Sequence, residues 1–434
     1  MTRARDTIFA LSSGRPPCAI AIIRLSGPEA LSAVRAVTGR DLPAPRQAAL
    51  RHFRDPLTGE LIDEGLLLWF PAAASVTGEP LVELHCHGSL AVVRDLQACL
   101  AGLPGLRAAH AGDFTRRAFA NGRMDLASVE GLGDLLAAET AFQRRAAMAM
   151  MGGALSRQIE GWTRDLRRLS AHVEARLDFA DEGDVADSID LAGFAGQCSQ
   201  IADAMANELA KPAADRLKDG VRVAIGGPPN AGKSTLFNAL IGRDAAIVSP
   251  VAGTTRDVIE ASVAIGGIPM VIADSAGLRT TGDAIERIGV DRAEALLAAA
   301  DIILWLGDGE AQPNAGNVLL QVAAKADVRD PGSAAAIGYE ISAVTGEGME
   351  ELIAALRDAA SQLLPAPGDY ALSQRQRAVL ARAEGAVREA SLLTDEILIG
   401  ECLRLALTTL DELTGRATTE AVLDELFSGF CIGK

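Results

Sequence analysis

The sequence predicts a multidomain chain of α/β plus all-α class. An N-terminal α/β domain is followed by a helical domain, which an inserted P-loop α/β domain interrupts. Three observations predict this. Gly227-Pro228-Pro229-Asn230-Ala231-Gly232-Lys233-Ser234 fits G-x-x-x-x-G-K-[ST] between a strand (VRVAIG) and a helix (KSTLFNALIG). Ala- and Leu-rich helical patterns flank that region, over about Asp125 to Lys218 and over 372–426. The length of 434 residues suits about three domains.

In order along the chain, Ala19 to Leu25 (AIAIIRL) reads as a β-branched strand, broken by Ser26-Gly27-Pro28, with a helix from Glu29. Leu66 to Phe70 and Leu81 to His85 are further strands. The inserted domain alternates. Val221 to Ile225, Val258 to Ile265, Met270 to Ala273 and Ile302 to Leu306 read as strands of a parallel sheet, with a helix over Lys233 to Ile241. Pro365, Pro367 and Gly368 mark the way out. The expected domains are 1–117 (α/β), 118–218 (first helical part), 219–366 (P-loop domain) and 367–434 (second helical part). The two helical parts are read as one domain, with two separate domains as the alternative.

Composition excludes several classes. Hydrophobic residues make up 49% and charged residues 23%, so disorder is no description of the whole chain. The longest apolar stretch, Leu66 to Ala74, is nine residues and contains Pro71, against the ~20 a spanning helix needs. The start, MTRARD, has no secretory pattern, and the six cysteines have no paired spacing. A cytoplasmic protein without membrane contact is expected. The net charge of −16 argues against coating nucleic acid non-specifically. Residues 1–117 carry 13 Arg and 11 acidic residues, whereas the remainder carries 28 Lys and Arg against 46 acids. A polyanionic ligand is therefore expected near the N-terminal third.

The nucleotide motifs follow one another. In the phosphate loop, backbone N–H groups cradle phosphates, Lys233 reaches the β- and γ-phosphates, and Ser234 binds Mg²⁺. Asn230, Ala231, Gly232 and Thr235 complete the loop's binding residues. Asp274-Ser275-Ala276-Gly277 fits D-x-x-G, the GTPase form of the second phosphate motif. Gly253-Thr254-Thr255 lies between, where a switch threonine, Thr255, completes the Mg²⁺ shell. Ala324-Lys325-Ala326-Asp327 stands where N-K-x-D is expected, and Asp327 can still accept from guanine N1–H and the exocyclic amine. Ser342-Ala343 matches the loop that contacts guanine. Together these predict GTP. Leu278 follows D-x-x-G in place of a water-orienting Gln, which leaves Glu286 as the candidate for that task.

These motifs, with Gly253-Thr254-Thr255-Arg256-Asp257, Glu286-Arg287-Ile288-Gly289 and the terminal Phe430-Cys431-Ile432-Gly433-Lys434, resemble the MnmE (TrmE) family of tRNA-modification GTPases. The N-terminal third matches too, at Asp6-Thr7-Ile8, Thr77-Gly78-Glu79, Cys86-His87-Gly88 and Phe114-Thr115-Arg116-Arg117. The resemblance implies a Ras-like GTPase domain and an N-terminal domain that binds folate and dimerises. It implies a homodimer that works with an FAD-binding MnmG-type subunit on tRNA. The pair adds an aminomethyl or carboxymethylaminomethyl group at C5 of the wobble uridine. The one-carbon unit comes from a tetrahydrofolate derivative, 5,10-methylene or 5-formyl. The folate site implied by resemblance uses Arg24, Glu83, Arg123 and Lys434; the family usually has Lys where Arg123 stands. Potassium assistance is implied, with Asn230, Ser249, Val251 and Thr254 as ligands, and Glu286 takes the water-orienting role. Ser249-Pro250-Val251 departs from the commoner T-D-I string.

Other candidates have plainer readings. His85 and His87 share a strand face, but too few ligands accompany them for zinc, and packing is the expected role. Cys431 is either a nucleophile of the modification, with Lys434 as its only local basic group, or a small side chain that docks the tail. The acidic patch at Glu174, Asp178 and Asp181-Glu182 reads as a solvated helix end, with a contact to a basic partner as the alternative. The second functional class is an RNA-binding GTPase switch in ribosome assembly. Such a switch would want a basic RNA-binding module, and the acidic remainder of the chain supplies none. The partner subunit is therefore expected to carry most of the basic RNA footprint.

Overall fold

The computed structural model describes residues 6–178, 191–243, 259–274, 293–307, 318–328, 338–366, 368–417 and 419–433. They form two compact units, Met1–Gly133 with Asp411–Lys434, and Asp134–Leu410.

The first unit is built on a six-stranded sheet in the order β3-β4-β5-β2-β1-β6. Its strands are β1 (Thr7–Leu11), β2 (Cys18–Ser26), β3 (Ala49–Arg54), β4 (Leu61–Phe70), β5 (Leu81–Gly88) and β6 (Leu106–Ala108). Only β1 and β6 run parallel. Period-two alternation sorts the side chains. Ile23, Leu25, Leu67, Val82 and Leu84 are fully buried beneath α1 (Ala30–Thr38) and α2 (Leu90–Ala101). Each such side chain contributes about 1.5–3 kcal/mol of burial. On the other face stand Arg24, Glu83 and His85. Helices α3 (Asp113–Ala120) and α4 (Leu126–Ala137) follow.

The C-terminal segment belongs to this unit, although the sequence groups it with the second helical part. Phe427 and Phe430 near its end pack with Leu126 and Val129 in one apolar cluster. Phe119 and Phe427 stand with ring centroids 6.2 Å apart.

The second unit holds a second six-stranded sheet, β12-β11-β10-β7-β9-β8. Its strands are β7 (Val221–Gly226), β8 (Ile259–Ile265), β9 (Ile268–Asp274), β10 (Ile302–Leu306), β11 (Val318–Ala323) and β12 (Tyr339–Glu340). The expected all-parallel sheet is corrected here: β8 pairs antiparallel with β9. The reason is local, since Gly266 and Gly267 between them both take positive φ and close a tight turn.

Helices α5 (Ala141–Met151), α6 (Ala154–Asp178), α7 (Leu191–Ala210) and α8 (Asp215–Asp219) precede this sheet. Helices α9 (Lys233–Arg243) and α10 (Met349–Gln362) belong with it, and α11 (Gln374–Leu392), α12 (Glu396–Thr414) and α13 (Glu420–Ser428) follow. Reciprocal capping boxes start α5 (Thr140 with Gln143) and α11 (Ser373 with Gln376). Helix α7 packs along α11, with Cys198, Ala202 and Met205 buried on one and Leu380, Ala383 and Val387 on the other. Ala214 N donates to Leu372 O at 3.0 Å, and Arg377 donates to Lys211 O at 3.0 Å. The chain thus leaves the helices and returns to them at one place, which is the geometry of an insertion.

Candidate functional site

The phosphate loop lies at the carboxyl end of β7, where ligands of open α/β sheets bind. Val221, Val223 and Ile225 anchor that strand in the core. Gly227 has φ +137°, and a Cβ there would stand 2.2 Å from the Leu306 carbonyl oxygen. Glycine is therefore required by the neighbouring strand as well as by the loop. Lys233, at the start of α9, is 6% exposed. Its Nζ donates to Gly227 O at 2.9 Å and Pro228 O at 2.8 Å, arching over the loop it serves.

Ser234 Oγ donates to Asp274 Oδ2 at 2.6 Å. Asp274 ends β9 and is 1% exposed. A hydroxyl and a carboxylate thus converge beside the first turn of α9. Oxygen donors of this kind suit a hard cation such as Mg²⁺, bound jointly with substrate phosphates. The group fits the residues present.

The guanine-reading candidates sit at the carboxyl ends of β11 and β12. Lys325 takes φ +64° and donates to Asn230 O at 2.6 Å, while Asn230 itself has φ +61°. Lys325 therefore braces the phosphate loop directly. Ala324, in the place of the usual Asn, packs its methyl toward Gly232. Asp327 is exposed in the short 3₁₀ turn Ala326–Val328. Ala326 N donates to Ile341 O at 3.0 Å, which ties that turn to the Ser342-Ala343 loop. Ser342 is fully buried, and its Oγ accepts from Thr345 N at 3.1 Å. Asn230, Ala231, Gly232, Lys233, Ser234, Thr235, Asp274, Lys325, Asp327, Ser342 and Ala343 are thus gathered at one edge of the sheet. Ser249, Val251, Gly253, Thr254, Thr255, Ser275, Ala276, Gly277 and Glu286 lie outside the described residues.

In the first unit, Arg24 and Glu83 face each other across β2 and β5. Arg24 Nη2 donates to Glu83 Oε1 at 2.7 Å, and His85 Nε2 is 3.3 Å from Glu83 Oε2. Burial pushes the Glu83 carboxyl up, but the Arg24 hydrogen bond and charge, with those of His85, outweigh it and hold it below 4.5. Arg123 does not join this group: its Nη2 donates to Ala72 O at 2.7 Å, beside the loop that carries Gly78. Lys434 lies outside the described residues.

Cys86 points into the core, where burial raises its thiol to about 11. His85 and His87 instead pair with Glu83 and Asp63. Among the described residues no three His, Cys, Asp or Glu side chains form a metal-binding group.

Beside this site lies a buried polar network that no motif announces. Arg117 donates to Ser26 O at 2.9 Å, Glu79 at 2.8 Å and Asp6 at 2.9 Å. It fixes the 77–79 turn against β2. Arg117 stood in plain view within the Phe-Thr-Arg-Arg string, but nothing in that string says which arginine turns inward.

The tail is built into the same unit. Ile432 bridges Ala111 in antiparallel fashion, and Ser12 Oγ donates to Gly433 O at 2.9 Å. Gly433 has φ +97°, and a Cβ there would stand 2.3 Å from Leu11 O. Cys431 is exposed beside these anchored residues.

A family model described as "GTP-binding protein TrmE N-terminus" matches residues 7–123, and one described as "MnmE helical domain" matches 126–431. The chain belongs to the MnmE (TrmE) family. Three curated relatives carry the name tRNA modification GTPase MnmE. That of Erythrobacter litoralis (strain HTCC2594) is 52% identical over 431 residues, covering 99% of this chain and 100% of the relative. That of Rhizorhabdus wittichii is 54% identical over 433 residues, covering 99% and 97%. That of Novosphingobium aromaticivorans is 49% identical over 437 residues, covering 99% and 100%. MnmE likeness therefore extends through both units. No described helix is long and apolar enough to cross a membrane.

Proposed function

We propose that this chain couples GTP hydrolysis to one-carbon transfer at C5 of the wobble uridine of tRNA. The coarse activity is that of its family, a GTP hydrolase acting in tRNA modification. The observation that carries the reading is the Ser234–Asp274 bond at 2.6 Å beside the Lys233 loop, in a chain related over its whole length. The ribosome-assembly alternative has no comparable support.

Lys233 exchanges its two loop carbonyls for phosphate oxygens when GTP enters, so its positive charge is pre-positioned. Asp274 orients the Ser234 hydroxyl. Ser234 and Thr255 would hold Mg²⁺, which neutralises charge on the phosphates when bound. Asp327 reads guanine while Lys325 holds the loop. Glu286 orients the attacking water. Asn230, Ser249, Val251 and Thr254 would hold a potassium ion. In the first unit, Arg24 and Glu83 present a guanidinium and a carboxylate to a folate derivative, and Arg123 and Lys434 are the further folate-binding residues of this reading. A homodimer working in the cytoplasm with an FAD-binding MnmG-type subunit completes the assembly.

The test is wobble-uridine modification in a strain lacking the gene. The wild-type chain is expected to restore it, and Lys233→Ala and Glu83→Ala are not. Full restoration by Lys233→Ala would uncouple hydrolysis from modification and overturn the reading.

A further inference from the structure

We propose that an exposed arginine stripe on α6 tracks the phosphate backbone of the tRNA substrate. This rests on the tRNA reading above. The stripe is Arg157, Arg164 and Arg168, with Arg167 beside it, and all four are exposed. At about 100° per residue the first three fall within roughly 40° of one another around the helix. They span about 16 Å of its length, room for several phosphates at about 3.4 Å per charge along one strand.

The charges stand together on one helix face and are not held in ion pairs. Arg176, on the same helix, pairs with Glu396 at 2.6 Å, and Arg388 pairs with Asp203 at 3.0 Å. Among the described residues, none of the four stripe arginines forms an ion pair. Glu160 stands one turn before Arg164, the favourable order for an intrahelical pair, yet no such pair forms. The polar contacts they do make are to neutral groups: Arg157 to Gly152 O at 2.7 Å and Arg168 to Gln197 at 3.3 Å. Glu160 and Asp165 flank the stripe without pairing to it among the described residues, so in a chain of net charge −16 these arginines are left to meet an external anion.

The stripe fits RNA better than a protein partner. The positions between and beyond its arginines are Gly161, Ala171 and Ala175, so no large apolar side chain supplies an interface core. Small residues keep the surface low and let a sugar–phosphate backbone approach. Guanidinium groups bind phosphate through paired N–H donors. The contact positions RNA and carries no sequence preference.

The experiment uses the full chain with its flavin partner subunit and a tRNA transcript, followed by anisotropy over a potassium chloride series. The triple variant Arg157→Gln, Arg164→Gln and Arg168→Gln is expected to lower affinity about tenfold or more at low salt. Its salt slope should be shallower by about 2, at roughly 0.7–0.9 per lost phosphate contact. The matching triple Lys variant should keep most of the slope, and GTP hydrolysis without tRNA and the melting temperature should not change. Wild-type affinity and slope in the triple Gln variant would overturn the proposal. So would unchanged RNA binding with loss of the partner subunit, which would make the stripe a protein contact. Wobble-uridine modification by the wild-type chain in the deletion strain is scored alongside. If that is restored while the triple Gln variant binds normally, only the stripe fails; if it is not restored, the tRNA reading fails.

Discussion

Single atoms decide much of this site. At Gly227 an added methyl meets the Leu306 carbonyl at 2.2 Å in a φ of +137°. Gly227→Ala is expected to destabilise the second unit by about 2–3 kcal/mol and to abolish GTP binding, read by thermal melting and a fluorescent GTP analogue. Gly242, where an added methyl meets nothing within 4 Å, is the control: Gly242→Ala should stabilise α9 by about 0.5–1 kcal/mol and leave binding intact. Asp327→Asn is expected to shift preference from GTP toward xanthosine triphosphate, and unchanged selectivity would remove Asp327 from guanine reading. Glu83 gives a pH signature. Its folded carboxyl lies below 4.5, so the stabilisation from the Arg24 pair is present above that pH and is lost as pH falls through the folded value. The urea midpoint of the wild-type chain should therefore drop below about pH 4.5, and Glu83→Gln should lose that part of the pH dependence. The phosphate loop was legible in the sequence because its chemistry is fixed by glycine and lysine spacing. The bracing of Asn230 by Lys325 was not, since the two lie 95 residues apart.

At the scale of elements, apolar runs foretold the buried strands, and partly polar ones escaped. Strands β2, β7 and β10 follow from β-branched runs buried on the sheet, and β5 from the alternation of buried Leu81, Val82 and Leu84 with polar residues. Strand β3 (ALRHFR) gives no such run because arginine and histidine interrupt it, and β6 is three residues long and carries no period. The antiparallel β8 escaped too, since strand direction is set by the Gly266-Gly267 turn rather than by composition. The tail is the clearest case of an element whose place no periodicity gives. Its motif was plain, but its docking depends on Ser12, Ala111 and Phe427, of which the first two lie far off in sequence. Gly433→Ala forces a methyl to within 2.3 Å of Leu11 O, so it should detach the last residues. Amide exchange at Ile432 is expected to rise sharply and wobble-uridine modification to fall, with GTP hydrolysis unchanged. Ser12→Ala removes one hydrogen bond and should show the same pattern at about 1 kcal/mol. Full modification by a detached tail would make the docking purely structural.

For the whole molecule, the question is where the positive charge that stabilises phosphoryl transfer comes from. Lys233 supplies one charge and the Ser234–Asp274 pair suits one divalent ion, both at the β- and γ-phosphate oxygens, and phosphoryl transfer commonly draws on a further cation. An arginine finger fills that role in many phosphoryl-transfer enzymes, and a monovalent cation placed there would supply the same charge. Asn230 is held in a left-handed conformation by Lys325, with its side chain exposed at the lip of the phosphate loop. A strained residue fixed from a distant strand suits a ligand that must present an amide oxygen in one direction. Turnover of the full chain is therefore expected to be strongly faster in potassium than in sodium buffer, with GTP-dependent association of the GTPase domains alongside. Asn230→Ala should remove most of the difference while leaving GTP affinity within a few fold. Lys325→Ala should act in the same direction by freeing Asn230, an effect that a simple loss of guanine contact would not produce. Equal rates in the two salts would show that Ser249-Pro250-Val251, in place of the commoner T-D-I, has closed the cation site. The stabilising charge would then have to come from an arginine, and an arginine scan with GTP turnover as the readout would find it.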